Sequence, residues 1–326
     1  MKDFFVVDAS KFENAVVTTY FVVSSLQVRD RKNGGNYLAL TLADKTGSLE
    51  ARMWDDFEDV LTTCGEGSFV KAQGQISKYQ GKFQITLSKL RRAADSEIDA
   101  GDYMPATQLD VEAMWAELRS YVEGFANADL RRLVFAFLDD AEVAQAYKVA
   151  PAAKTLHHAW LGGLLEHVLT LVRVCRATAP FYPEVDADLL VTGAILHDIG
   201  KTRELSWKSA FSYTLEGQMI GHISIAQGML VEKVRALQPF PEKLRVLVEH
   251  MILSHHGKYE FGSPKLPMTP EAMLLNVLDD LEAKMQAMRN EFARATANGK
   301  SAGEMTDWVR SLERPVLNSR AWLGEE

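Results

Sequence analysis

The stretch AILHDIGKTREL, residues 194 to 205, sets His197 directly against Asp198 inside an apolar run and follows the pair with Lys201. A bare ion pair buried in a helix is costly, because lost hydration is recovered only through good geometry and further hydrogen bonds. Adjacent helical residues lie about 100° apart, so both side chains can lean toward one ion over the groove between them, with Lys201 one turn on. A divalent metal would neutralise Asp198 and use the neutral imidazole, which removes the cost of burial. The stretch therefore predicts a helical domain that holds metal.

Histidine usage points to the same part of the chain. All eight histidines (157, 158, 167, 197, 222, 250, 255 and 256) fall in one 100-residue window, where even scatter would place between two and three. The hydrophobic period is helical from VEAMWAELRSYVEGF at residue 111 to about residue 292, with Asn127 as a cap, so this domain is expected to be all-α. His167 lies in WLGGLLEHVLTLV, His222 in GQMIGHISIAQGML, His255 and His256 in MILSHHGKYEFGSP, and Asp279 in LLNVLDDLEAKM. A single histidine in such a setting is usually a satisfied core residue; an ordered set of them is a candidate coordination sphere. Asp280 points about 100° away from Asp279 and reads as a surface or supporting carboxylate. Glu166 and His250 read as supporting or structural. Gly162 and Gly163 allow close approach of helices or substrate, and packing alone explains them equally well.

At 326 residues the chain exceeds the usual single domain, so a second one is expected before this helical part. Residues 16 to 28, 37 to 43, 48 to 54, 68 to 76 and 82 to 90 are short and rich in β-branched and aromatic residues. Turn signals separate them: NGGN at 33 to 36, DKTG at 44 to 47 and KYQGK at 78 to 82. Five strands with a helix-like segment near 55 to 62 follow the plan of an OB-fold barrel. Six basic residues and no acid run from Lys71 to Arg92, and Tyr79 and Phe83 stand among them. Cations that track phosphates beside rings that stack on bases suit single-strand binding, which makes Lys71, Lys78, Tyr79, Lys82, Phe83 and Lys89 substrate-binding candidates. Against that, Phe83 fits the barrel core, Tyr79 the turn, and the lysines a solvated face.

By strand order, residues 14 to 93 resemble the nucleic-acid-binding OB module. The ordered histidines and aspartates resemble the HD superfamily of metal-dependent phosphohydrolases, in its two-metal branch. The two together, with LHHAWLGGLLEHV, ILHDIGK and ILSHHGKYEFGSPK, resemble the YhaM-type 3′-to-5′ exoribonucleases over roughly residues 14 to 290. Related cyclic-dinucleotide phosphodiesterases carry a GYP signature where this chain has GSPKLP. The resemblance implies a multidomain α and β protein: an OB-fold barrel over 1 to 95, a linker and connecting helix over 96 to 126, an HD domain over 127 to 292 and a tail over 293 to 326. It implies that His167, His197, Asp198 and Asp279 hold one metal, and that Asp198 bridges to a second held by His222 and by His255, His256 or both. Asp198 and Lys201 are the expected catalytic residues, Lys201 countering charge on a non-bridging phosphate oxygen. His157 and His158 are expected at the substrate phosphate, with capping or packing as the competing role.

Mixed nitrogen and oxygen ligands suit two divalent ions, and the resemblance implies manganese among them, with iron, magnesium, cobalt or zinc as alternatives. The residues alone point to metal-dependent phosphoester hydrolysis; the resemblance implies release of nucleoside 5′-monophosphates from the 3′ end of single-stranded RNA, with single-stranded DNA as a second substrate. Its rivals are an HD phosphohydrolase of a small or cyclic nucleotide and a non-catalytic single-strand-binding adaptor. With 47% hydrophobic residues, 25% charged residues and a net charge of −8, the chain is an ordinary globular composition in which only a local basic groove could meet nucleic acid. Cys64 and Cys175 are too few for a disulfide framework, and no GxxxxGK[ST] loop is present. No membrane span or signal pattern is read, so a cytoplasmic location is expected. The tail WVRSLERPVLNSRAWLGEE has apolar residues that suit packing on the domain or on another subunit of a homo-oligomer.

Overall fold

The computed structural model describes residues 2–31, 34–79, 81–154, 158–207, 211–297 and 299–325. It divides into two compact units, Met1–Ala106 with Trp207–Phe211, and Thr107–Ser206 with Ser212–Glu326.

The first unit is a closed five-stranded barrel, with β1 Val16–Asp30, β2 Asn36–Asp44, β3 Gly47–Met53, β4 Phe69–Tyr79 and β5 Lys82–Arg92. The strand order is β1-β2-β3-β5-β4, closing back on β1, and only the β3/β5 pair is parallel. Alternation builds the core: Leu38, Leu40 and Leu42 of β2 point inward with Phe21, Ile76 and Ile85, and fully burying one such side chain is worth about 1.5–3 kcal/mol. One long β1 serves two neighbours, pairing Val16–Val22 with β4 and Val22–Asp30 with β2, and a bulge between Val23 and Ser25 turns it from one to the other. Gly74 is required where the β4/β5 register shifts, since a Cβ there would stand 2.4 Å from the Thr86 carbonyl oxygen. The expected helix between the third and fourth strands is α1, Glu58–Thr63. An unexpected feature is the 3₁₀ turn Val6–Phe12 ahead of the barrel, where Lys2 is buried, pairs with Asp44 at 2.8 Å and lies 4.5 Å from the centre of the Phe21 ring.

The second unit contains α2 Val111–Glu123, α3 Ala128–Leu138, α4 Ala141–Val149, α5 Gly163–Thr178, α6 Ala187–Leu196 and α7 Lys201–Glu204. A short ribbon, β6 Leu205–Ser206 with β7 Ser212–Tyr213, precedes α8 Leu215–Ile220, α9 His222–Ala236, α10 Glu242–Ser254, α11 Pro270–Ala297 and α12 Ser319–Trp322. Asp110, Asn127, Asp140 and Asp186 cap α2, α3, α4 and α6 through their side chains. Every residue of α6 from Leu189 to Leu196 is buried, which makes it the central helix. In the tail, Val309 and Val316 are buried. Among the described residues no helix is long and apolar enough to cross a membrane.

His197 and Asp198 do not lie inside one continuous helix, as the sequence reading supposed. The α-helical bonding ends with His197 N–H donating to Gly193, and the chain then tightens so that Lys201 N–H donates to the Asp198 carbonyl at 2.9 Å. Gly200 lets this turn pack against the start of α9, since a Cβ there would come 2.0 Å from the His222 carbonyl oxygen. Lys201 remains one turn from Asp198.

Candidate metal centre and nucleic-acid interface

Five helices and their ends deliver the polar cluster. His167 comes from α5, His197 and Asp198 from the end of α6, His222 from the first residue of α9, His255 and His256 from the end of α10, and Asp279 from α11. The two oxygens of Asp198 face different partners. Its Oδ2 lies 3.2 Å from His197 Nε2, 3.8 Å from His167 Nε2 and 2.7 Å from Lys201 Nζ, while Oδ1 lies 3.5 Å from His222 Nε2 and 3.8 Å from His255 Nε2. Asp279 Oδ1 is 3.2 Å from His167 Nε2 and 3.7 Å from His197 Nε2. The ligand atoms of His167, His197 and Asp279 lie within 4.8 Å of one another, as do those of His222, His255 and His256.

The ring orientations have a common cause. His197 Nδ1 donates to the Ala194 carbonyl at 2.9 Å, His255 Nδ1 to Ile252 at 2.8 Å and His256 Nδ1 to Phe261 at 2.8 Å. His167 Nδ1 donates to Glu282 Oε2 at 2.6 Å and His222 Nδ1 to Glu204 Oε1 at 3.1 Å. A carbonyl or carboxylate can only accept, so Nδ1 carries a proton in each ring and Nε2 turns toward the cluster, where the neutral form of the ring can ligate. His197 Nε2, Asp198 Oδ1, His222 Nε2 and His255 Nε2 are buried and meet no hydrogen-bonding partner of acceptable geometry. Converging lone pairs left in this state are costly unless a cation takes them, and a mixed nitrogen and oxygen set suits first-row divalent ions. The donor set therefore fits divalent metal.

Electrostatics agree with this. Burial would raise the Asp198 carboxyl, but Lys201 and then His197 hold it well below the usual carboxylate range. Burial pushes His255 well below the usual imidazole value, helped by His197, and pushes His256 down as well, helped by His222, so both stay neutral and able to ligate. Burial also works against protonation of His167, yet Asp279 and Glu282 outweigh it and hold the ring up at about 10. Two carboxylates around one imidazole make a site that is short of positive charge.

Glu282 and Glu204 escaped the sequence reading, although each carries a helical signal: Glu282 lies three residues after Asp279 and Glu204 three after Lys201. His158 is 1% exposed, and its Nε2 donates to Glu282 Oε1 at 2.8 Å. It therefore steadies Glu282 behind His167, in place of the phosphate contact expected of it. His157 lies outside the described residues. Glu166 accepts from Thr107 Oγ1 and Trp160 Nε1, and His250 Nε2 accepts from the Met268 N–H; among the described residues neither joins a group of converging ligand atoms. Asp280 is exposed and paired with Lys284.

On the barrel, the six expected binding residues do not form one patch. Lys71 faces Arg91 across the β4/β5 ladder near one end, whereas Tyr79 faces Lys82 at the other, about 26 Å away at the usual strand rise. Lys71 and Lys89 line a groove of about 640 Å³ together with Arg91. Lys78, Tyr79 and Lys82 stand exposed around the hairpin tip, while Phe83 is half-buried against the barrel core with Lys78 over its ring. A second group was not anticipated. Tyr37 and Trp54 pack with centroids 4.8 Å apart, Arg31 covers Trp54 at 5.4 Å, and Arg52 covers Tyr79 at 5.5 Å. Arg29, Tyr37 and Arg52 share a small cleft of about 110 Å³. Rings alternating with guanidinium groups offer faces for bases and charges for phosphates.

Comparison with known proteins agrees with both units. Residues 164–284 match the HD domain family, and residues 22–93 match the OB-fold nucleic acid binding domain family. A protein of Geobacillus described as 3′-5′ exoribonuclease YhaM is 35% identical over 309 residues, covering 93% of each chain. The Bacillus subtilis protein of the same description is 35% identical over 298 residues, covering 91% of this chain and 92% of its own. That of Halalkalibacterium halodurans is 32% identical over 296 residues and 90% of each chain. With a barrel and an HD domain in this order and identity of this extent, the chain belongs to the YhaM family of 3′-5′ exoribonucleases.

Proposed function

We propose that this protein is a metal-dependent 3′-to-5′ exoribonuclease that removes nucleoside 5′-monophosphates from single-stranded RNA and accepts single-stranded DNA as a second substrate. The observation that carries the mechanism is the division of Asp198, one oxygen toward His167 and His197 and the other toward His222 and His255. In this reading His167, His197, Asp198 and Asp279 hold one divalent ion and His222, His255, His256 and Asp198 a second, manganese being favoured. Such a pair supplies Lewis acidity on both sides of an in-line displacement at phosphorus.

The remaining steps belong to the chain's own residues. Glu282 and Glu204 keep His167 and His222 in the ligating tautomer. Lys201 spends one of its three N–H groups on Asp198 Oδ2, which aims the carboxylate, and keeps two for a non-bridging phosphate oxygen. The barrel holds the body of the strand through its rings and cations. The test is incubation of purified protein and Mn²⁺ with 5′-labelled RNA. A ladder of shortened strands is expected; an intact strand with hydrolysis of a small nucleotide, or binding without cleavage, would overturn the reading.

A further inference from the structure

The segment Gly257–Met268 follows the histidine doublet and has no part in the ligand set. Its backbone is tied down. Lys265 N–H donates to the Leu253 carbonyl at 3.1 Å, Ser263 Oγ to the Lys265 carbonyl at 2.7 Å, and Met268 N–H to His250 Nε2 at 3.0 Å. Gly257 makes the entry turn with φ +76°, and a Cβ there would lie 2.4 Å from the Asn276 amide that holds the His255 carbonyl. On this fixed backbone two aromatic side chains point into solvent, Tyr259 at 65% exposure and Phe261 at 62%. The same loop reaches the cluster, because the Phe261 carbonyl is the acceptor that orients His256.

Single exposed apolar residues are ordinary and need no explanation. This pair differs in three ways: the two rings lie two residues apart on a rigid turn, that turn sets the direction of a metal-facing imidazole, and Lys258 Nζ stands 5.3 Å from the Phe261 ring centre, held there 3.5 Å from Glu260 Oε1 in an exposed pair that a phosphate can displace. A ring face for a base and a cation for a phosphate match two parts of one nucleotide, and the bond from His256 to the Phe261 carbonyl puts them beside the cluster. We propose that Tyr259 and Phe261 form a stacking platform for the nucleobase beside the scissile phosphate, with Lys258 meeting the adjoining backbone. The platform rests on the exoribonuclease reading and adds to it a contact that holds the end of the strand at the place of cutting. Its recognition is of a base as such, since every base has a π-face.

The test compares wild type, Tyr259→Ala/Phe261→Ala and Tyr259→Phe on short RNAs whose 3′-terminal nucleotide carries either adenine or an abasic ribose. Wild type should favour the base-bearing strand in kcat/KM by about 5- to 150-fold, the span of one stacked base. In the double variant the ratio should fall toward one, and Tyr259→Phe should keep it. A 3′-terminal 2-aminopurine, bound in chelator so that nothing is cut, should be quenched by wild type and bright with the double variant. Mn²⁺ affinity measured by calorimetry separates stacking from a disturbed His256: a parallel loss of metal binding would overturn the platform. So would an unchanged base preference, or a change in oligomeric state without a change in preference. If wild type degrades RNA and the ratio does not move, the platform alone fails; if wild type degrades no RNA, the exoribonuclease reading falls and the platform with it.

Discussion

In the helical unit His167, His197 and His255 are buried and each gives one ring nitrogen to an oxygen, whereas on the barrel Trp54, Tyr79 and Lys82 stand exposed with their faces and charges open to solvent. The contrast follows from the two tasks. A metal-assisted displacement needs donor atoms held to fractions of an ångström in a place where charge interactions are strong, and only a packed core gives that. Holding a strand of varied sequence needs π-faces and cations that tolerate any base, and exposure is the condition for reaching them. Changes in the first region should therefore stop chemistry and spare binding; changes in the second should do the reverse.

The sharpest break of that contrast is Asp198→Ala. It removes both faces of the shared carboxylate, so RNA hydrolysis should be abolished while RNA binding by the barrel persists in a gel-shift assay. Near-normal turnover would remove the two-metal mechanism. Metal removal should act equally strongly: exhaustive chelation should silence the enzyme, and Mn²⁺ should restore it better than Ca²⁺, which prefers larger all-oxygen shells. Activity that survives chelation would point to another chemistry.

Glu282→Gln probes the support of one ligand. Glu282 accepts from two histidines through two different oxygens, and an amide has only one acceptor, so His158 or His167 must lose its partner or change tautomer. Mn²⁺ binding should weaken by about 10- to 100-fold, with activity recovering at high metal concentration. Unaltered metal affinity by calorimetry would show that the carboxylate is only a packing residue.

Smaller effects are expected on the barrel. Trp54→Ala should cost about 1–3 kcal/mol of RNA binding if a base stacks there, with hydrolysis of a dinucleotide preserved. Smaller again is Lys71→Ala, which should flatten the salt dependence of RNA affinity by about 0.7 of a unit for one lost phosphate contact. Equal loss of binding and of dinucleotide turnover in either variant would blur the division of labour.

Much of this was legible in the chain. Alternation of apolar residues located the five strands, and the helical period with histidines in apolar runs located the ligand candidates. The orienting carboxylates were harder to see, because Glu282 lies 115 residues from the His167 it holds. The Tyr37 and Trp54 pair needed the β2/β3 register, in which Leu38 faces Met53, to bring the next residues opposite each other. His158 looked available because a loop residue beside glycines carries no sign of burial, yet its ring is enclosed.

The sequence by itself determined the elements and the chemical types, since propensity, periodicity and capping act over a few residues and need no partner from elsewhere. It also determined that cation-binding groups crowd one part of the chain. Only the tertiary structure decided which nitrogen of each ring faces the cluster, which oxygen of Asp198 meets which histidines, and how the basic residues of β4 and β5 divide between two ends of a barrel. Those outcomes depend on helix ends and strand registers brought together across long separations, and a hydrogen bond or a coordination geometry exists only once both partners have arrived.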